Sequence, residues 1–393
     1  MELQDLFAAY YSCRKNKRNT ANAIAFEMNL ETNLIALWQE IQERKYEIGK
    51  SIAFIVERPV KREIFAGNFR DRIVHHLVIN QLNPILEKKF IYDSYSCRVD
   101  KGTLFGIRRV EKFMRQATDN YTQDAYILKL DIAGFFMNIN KNILFSSVSE
   151  IICQDVIEQD QDLLLYLCEK IIFNNPKANC IIKGKGEDWL GLPKSKSLFF
   201  SDFDTGLPIG NLTSQVFANL YLHTLDTFIK KSLKIGYYGR YVDDFILIHH
   251  DCEYLKGAIS AIRSFLSEHL KLSLHPRKIY LQYFSKGVSF LGALIKPYRI
   301  YVGKRIKTNF YRAIGAINRM ITEDARILQN RVKQKQILST LNSYLGLIQH
   351  FDALTLRKKL LLTINSLFWN YFYISGKYQV IVARTRNFRL GFG

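Results

Sequence analysis

What is missing from this sequence narrows its class before any motif is considered. No Cys-x-x-Cys pair and no Cys/His cluster occurs, and the six cysteines (Cys13, Cys97, Cys153, Cys168, Cys180, Cys252) are scattered. That excludes a zinc ribbon or a disulfide framework, and the thiols read as reduced, as in a cytoplasmic protein. Proline and glycine are sparse, seven and 21 among 393 residues, so no linker or low-complexity tract divides the chain. No internal repeat occurs, and the glycine signature of a doubly wound nucleotide fold is absent. The first residues lack an uncharged apolar core ending in a cleavage site, which argues against a secretion signal. The longest apolar stretch, 360–375, contains Asn365 and Asn370 and follows Arg357, Lys358 and Lys359. A buried helix with a basic flank is expected there in preference to a membrane anchor, and no membrane partner is expected.

Acids are also in short supply. The chain carries 36 Asp and Glu against 56 Lys and Arg, a formal charge of +20. A surplus of this size favours a polyanionic partner, because neutralising phosphates releases condensed counterions. The deficit is deepest in 296–393, where 18 Lys and Arg face only Glu323, Asp324 and Asp352. That last quarter therefore reads as a surface tracking a phosphate backbone. What is abundant is apolar: 48 % hydrophobic and 13 % aromatic residues, enough for a folded core and two or three packed subdomains.

Helical spacing runs through 21–48 (Ile24, Phe26, Leu30, Leu34, Leu37, Ile41) and through 69–90 (Ile73, Leu77, Ile79, Leu82, Ile85). Between them, 51–67 alternates like paired strands around Pro59. A short strand, 126–131, leads into Gly134-Phe135-Phe136, and helical pattern returns across 141–173. Residues 174–205 are polar and read as an extended loop or insertion. A helix is expected over 211–232, a hairpin over 237–250, a helix over 255–270 and a strand pair over 279–302. From about 308 onward the pattern is helical and basic. Strands and helices alternating in this way predict an α+β fold with a mostly antiparallel sheet.

The chemistry concentrates in carboxylates. Asp243 and Asp244 sit between two apolar runs, Tyr237-Tyr238 with Val242 before them and Phe245 to Ile248 after them. Taken alone, such a pair reads as a solvated turn. A second carboxylate changes the reading: Asp131 ends the apolar strand 126–131 and runs into Ile132-Ala133-Gly134-Phe135-Phe136. Strand-end acids near a core are costly unless a cation neutralises them. Hard oxygen donors suit two Mg²⁺ ions, with Mn²⁺ as a substitute, and such a pair stabilises in-line phosphoryl transfer.

In this order, the motifs resemble those of reverse transcriptases. Asp131 with Phe135-Phe136 resembles the first palm motif, and 206–215 (Gly-Leu-Pro-Ile-Gly-Asn-Leu-Thr-Ser-Gln) the nucleotide- and template-positioning motif. Tyr241-Val242-Asp243-Asp244 is similar to the catalytic hairpin, Leu274 to Lys278 to the lysine motif, and Phe290-Leu291-Gly292 to the primer grip. The resemblance implies a right-hand polymerase fold: fingers over 1–125, palm over 126–300 with an insertion at about 174–205, and a basic helical thumb over 301–393. It implies metal ligation by Asp131, Asp243, Asp244 and the Ile132 carbonyl. It makes Phe136, or its neighbour Phe135, the gate that rejects a 2′-hydroxyl, and it gives Lys278 the pyrophosphate leaving group. Ile209, Gly210 and Gln215 would position the nucleotide; Arg62, Arg98 and Lys101 would clamp its triphosphate. The implied partners are an RNA template, a DNA or RNA primer and dNTPs.

One departure narrows the resemblance. Most reverse transcriptases carry Gln-Gly, three residues, then Ser-Pro; here the spacing reads Ile209-Gly210 and Ser214-Gln215. That pattern is similar to enzymes of diversity-generating retroelements, which copy RNA with frequent errors at adenines. The resemblance adds a small basic accessory protein and a structured non-coding RNA as partners. The alternative is an antiviral-defence reverse transcriptase making cDNA from a dedicated RNA. An intron or retron enzyme is less expected, since no HNH-type pattern occurs and the retron Gln-Gly and Ser-Pro residues are missing.

Overall fold

The computed structural model describes residues 1–15, 20–57 and 60–384. Three helices open the chain, α1 (Leu3–Arg14), α2 (Ala21–Glu27) and α3 (Leu30–Gln42), followed by β1 (Ser51–Val56), β2 (Arg62–Ala66) and α4 (Phe69–Lys89). Next come α5 (Thr103–Ala117), β3 (Tyr126–Asp131), α6 (Phe135–Asn138), α7 (Lys141–Asp155), α8 (Glu158–Phe173) and β4 (Cys180–Ile182). The centre of the chain forms α9 (Leu212–Tyr221), α10 (His223–Thr227), β5 (Tyr237–Tyr241), β6 (Asp244–His249) and α11 (Cys252–Leu270). The remainder comprises β7 (Tyr280–Tyr283), β8 (Val288–Phe290), β9 (Ala293–Lys296), β10 (Arg299–Val302), α12 (Lys304–Glu323), α13 (Arg331–Ile348), α14 (Leu354–Leu362), β11 (Phe372–Ser375) and β12 (Val380–Ala383).

Two compact units result, and both are discontinuous in sequence. One takes Met1–Gly102 and Leu128–Leu281; the other takes Thr103–Ile127 and Gln282–Gly393. One sheet is ordered β5-β6-β3-β7, and a smaller one, within the first unit, is ordered β2-β1-β4. In the main sheet β5 and β6 pair antiparallel, with Phe245, Ile246 and Leu247 fully buried. This mixed α/β architecture with antiparallel sheets is that of the expected right-hand polymerase. In the second unit β8, β9 and β10 form an antiparallel meander. Helix α12 there buries one stripe, Phe310, Ile314, Ile317 and Ile321, and leaves its basic residues outside.

Several local expectations need revision. The stretch 21–48 is two helices, broken at Met28-Asn29, and 141–173 is also two, parted before Glu158. The strands β1 and β2 pair antiparallel as their alternation requires, although Pro59 itself lies outside the described residues. The apolar stretch 360–375 is not one helix. After Leu362 it passes through a 3-10 turn, Ser366–Asn370, into β11, which pairs with β12. Asn365 causes the break by capping the 3-10 turn, its side chain accepting from the Leu367 N–H at 3.0 Å. Among the described residues no helix is long and apolar enough to cross a membrane. None of the six cysteines forms a disulfide.

Candidate active site

The hairpin β5–β6 closes tightly. Tyr241 pairs with Asp244, so Val242 and Asp243 alone form the turn. Val242 has φ +56, the left-handed value that the first position of a primed hairpin turn demands and that glycine usually supplies. A β-branched residue there is strained, and such strain persists only where surrounding contacts over-determine it. Arg240 does so. It is wholly buried, as is its partner Asp226. Its Nε and Nη2 reach the two Asp226 oxygens at 2.7 and 2.6 Å, and its Nη1 donates to the Val242 carbonyl at 3.0 Å. The Tyr238 hydroxyl adds a 2.6 Å bond to Asp226. Alongside, the Arg240 N–H donates to Asp93 O and the Tyr95 N–H to Arg240 O, each at 2.9 Å. A Cβ at position 239 would run into the Tyr95 hydroxyl, so only Gly239 allows that strand to lie so close.

Within this frame the three expected carboxylates fall within electrostatic reach of one another. Burial pushes the Asp243 carboxyl up to about 6, and the neighbouring Asp131 charge adds to it. Burial also pushes Asp244 up to about 6, against the pull of Lys129. Lys278 Nζ donates to both oxygens of Asp131, at 2.8 and 2.9 Å. Lys129 Nζ lies 3.1 Å from Asp244 Oδ2, while Asp244 Oδ1 is buried without a hydrogen-bond partner. Among the described residues no group of three or more His, Cys, Asp and Glu side chains converges as a ligand set; two lysines share the space with the acids. The donor chemistry nonetheless fits divalent cations. The donors are hard oxygens, two of them disfavoured as anions by burial, and one oxygen lacks any donor. Ile132 bridges Leu274 through its neighbours, with His275 N donating to Asp131 O and Ala133 N to Ser273 O. In that pattern the Ile132 carbonyl itself points away from Leu274, toward the other side of the strand.

The other expected residues divide into two groups. Arg62, at the start of β2, acts electrostatically on Asp243 and Tyr241. It is carried there because β2 docks on the central motif. Phe65 N donates to Ile209 O at 2.8 Å, and Gly67 N to Asn211 Oδ1 at 3.1 Å. Gly210, at φ +130, has no room for a Cβ, which would fall 2.9 Å from Phe65 O. Phe135 is buried at 2 % exposure, whereas Phe136 is half-buried, so only the second offers a ring edge to a ligand. Gln215, exposed on the first turn of α9, accepts from Cys97 Sγ at 2.9 Å.

Arg98 and Lys101 are held elsewhere. Arg98 is bound to Glu87 through Nε at 2.9 Å and Nη2 at 2.8 Å, and its Nη1 donates to Ile91 O and Ser94 O. Lys101 donates to the Tyr92 carbonyl and lies over that ring. The spacing that suggested a phosphate clamp also serves a loop anchor, because a guanidinium satisfies carbonyls and carboxylates as readily as phosphates. Arg98→Met should therefore lower stability by about 1.5–3 kcal/mol, measured by urea unfolding, with little change in KM for dNTP. Phe290, Leu291 and Gly292 lie in the other unit. Phe290 is buried, and Leu291 and Gly292, at φ +49 and +87, form the β8–β9 turn.

Sequence reasoning passed over Lys129, Arg240 and Asp226. Lys129 was legible: two residues before Asp131 on a strand, it shares that residue's face. Arg240, alone among apolar strand residues, was a signal for a buried partner, but nothing local points to Asp226 as that partner.

Residues 61–295 match the family model of reverse transcriptase (RNA-dependent DNA polymerase). The chain is 24 % identical over 291 residues to the COX1/OXI3 intron 2 protein of Saccharomyces cerevisiae, covering 61 % of this chain and 32 % of that protein. It is 24 % identical over 315 residues to protein YkfC of Escherichia coli K12, covering 70 % and 73 %. Among solved structures it is similar to apo telomerase from Candida tropicalis, with a TM-score of 0.48, 13 % identity, and coverage of 85 % of this chain and 67 % of that one. It spans about a third of the intron 2 protein's length. With more than half of its residues matched, the chain belongs to the reverse transcriptase family.

Proposed function

We propose that this chain is an RNA-directed DNA polymerase that extends a primer on an RNA template. The observation that supports it most is the strained two-residue turn that carries Asp243 beside Asp131, with a buried Asp244 oxygen lacking a donor. Asp131, Asp243, Asp244 and the Ile132 carbonyl would hold two divalent ions, Mg²⁺ or Mn²⁺, which when bound supply the positive charge that in-line transfer at a phosphate requires. Lys278 and Lys129 hold Asp131 and Asp244 in place through ion pairs. Lys278 is half-exposed, so it can swing from Asp131 to a departing pyrophosphate and neutralise or protonate it. Arg62 lies toward the same carboxylates and offers a cation to the incoming triphosphate. Phe136 presents its ring to the sugar, and the basic face of α12 follows the duplex backbone as a thumb, with 1–125 as fingers and 126–300 as palm.

The finer reading is error-prone cDNA synthesis of the diversity-generating kind. Its support is Ile209, which packs on an apolar cluster and can offer the nucleotide no hydrogen bond, so a term that could separate right from wrong pairs is lost. A structured RNA and a small basic accessory protein belong to this reading. The test is extension by purified protein on an RNA template with all four dNTPs, each product sequenced, with and without the native RNA and accessory protein. Errors concentrated opposite adenines are the expected outcome. Faithful copying would favour the defence role, and no extension under any of these conditions would refute the polymerase.

A further inference from the structure

Residues 174–205 are exposed over most of their length, yet a buried carboxylate ties them to β2. Glu63 on β2 is 1 % exposed, where an unpaired carboxylate would be costly. Its Oε2 accepts from Trp189 Nε1 and Ser197 Oγ, both at 2.7 Å, and its Oε1 from the Leu198 N–H at 2.6 Å. All three donors come from 174–205. The same segment supplies β4, which pairs parallel to β1. Behind this knot lies an apolar cluster of Ala53, Phe65, Met137 and Leu198, and against it pack Trp189, Phe199, Phe136 and Ile209. Ring contacts link the two sides: Trp189 to Phe199 at 6.3 Å and Phe199 to Phe65 at 5.3 Å. Phe65 in turn bonds the Ile209 backbone.

We propose that 174–205 is a specificity element of the polymerase: anchored by Glu63, it fixes the wall on which Phe136 and Ile209 stand. This rests on the reading of those two residues as nucleotide-facing. A ring rejects a 2′-hydroxyl only if it cannot yield, and in a close-packed layer it cannot yield while its backing holds. Trp189 and Glu63 are thus positioning residues, acting through Phe199, Phe65 and Leu198 without touching substrate.

The experiment measures single-nucleotide insertion by the full chain with a dNTP and the matching rNTP. Trp189→Phe keeps a ring and deletes one donor to Glu63; Phe199→Leu leaves the knot whole and thins the layer behind Phe65. Both should leave kcat for the dNTP within about 3-fold, raise its KM about 10-fold and lower dNTP over rNTP selectivity about 10-fold. Glu63→Gln should do the same if it folds. Unchanged KM and selectivity in Trp189→Phe and Phe199→Leu, with only the melting temperature lowered, would overturn the inference and leave the segment a structural connection. No insertion by the unmodified protein would instead remove the polymerase reading, and the inference with it.

Discussion

Replacing Asp243 by Asn should abolish primer extension, by about 1,000-fold or more, without unfolding the protein. A loss of that size corresponds to about 4 kcal/mol of transition-state stabilisation, within the range of single electrostatic contacts at reacting centres. The stability side has the opposite sign. Burial and the Asp131 charge hold the Asp243 carboxyl up at about 6, above its unfolded value. Its ionised form is therefore a liability to the fold at neutral pH and above. Asn removes that charge, so without divalent ions the variant should be as stable as the native protein or more so, by on the order of 1–2 kcal/mol after discounting for partial exposure. Mg²⁺ should raise the melting temperature of the native protein and not of the variant. Thermal unfolding with and without Mg²⁺, run beside primer extension, checks both. A variant that loses activity and fold together would make Asp243 structural.

The second large effect belongs to Arg240. Arg240→Met leaves Asp226 fully buried with a single hydroxyl donor from Tyr238, and breaking a buried pair in this way costs about 3–5 kcal/mol. Removing both charges with Arg240→Met and Asp226→Leu should recover part of that loss, because no orphaned ion remains. Activity should not recover with it. Both proteins lack the bond from Arg240 Nη1 to Val242 O, and a turn no longer held in its left-handed conformation misplaces Asp243. A loss of about 100-fold is expected from misplacement of the order of 1 Å. Urea unfolding and single-turnover extension of the single and double variants separate the two roles. A double variant that is stable and fully active would mean that the turn holds its geometry without Arg240.

Where apolar periodicity was strong, the fold could be read from residues alone. Helix α4 and the β5–β6 hairpin lie where the spacing of Ile73, Leu77 and Leu82 and the runs around Asp243 require. A boundary failed where a polar cap intervened, at Asn365, because its side-chain bond to the Leu367 N–H competes with a helix that hydrophobicity alone would continue. The carboxylates were legible because three acids in apolar settings need a common explanation. The ion pair of Lys278 with Asp131 and the Glu63 knot were not, since they join residues up to 147 positions apart in sequence. Arg98 shows the converse: residue type and position suggested a ligand contact, while its neighbours already satisfy the guanidinium.

The interleaving of the two units governs how this protein can be made. A ribosome releases β1 and β2 long before β4, and Glu63 must wait for Trp189, Ser197 and Leu198 to emerge. At about 5–20 residues per second that interval is roughly 6–27 s. Over it the β1 edge and the Glu63 side chain remain without their native cover. The unit carrying the carboxylates cannot close until Lys278 is out, and its companion holds Thr103–Ile127 in suspense until Gln282 and beyond arrive. Such late, long-range closure slows folding and keeps an unpaired strand edge open to other chains. Newly synthesised protein is therefore most exposed to aggregation during translation of its middle third, and chaperone capture should be sought there.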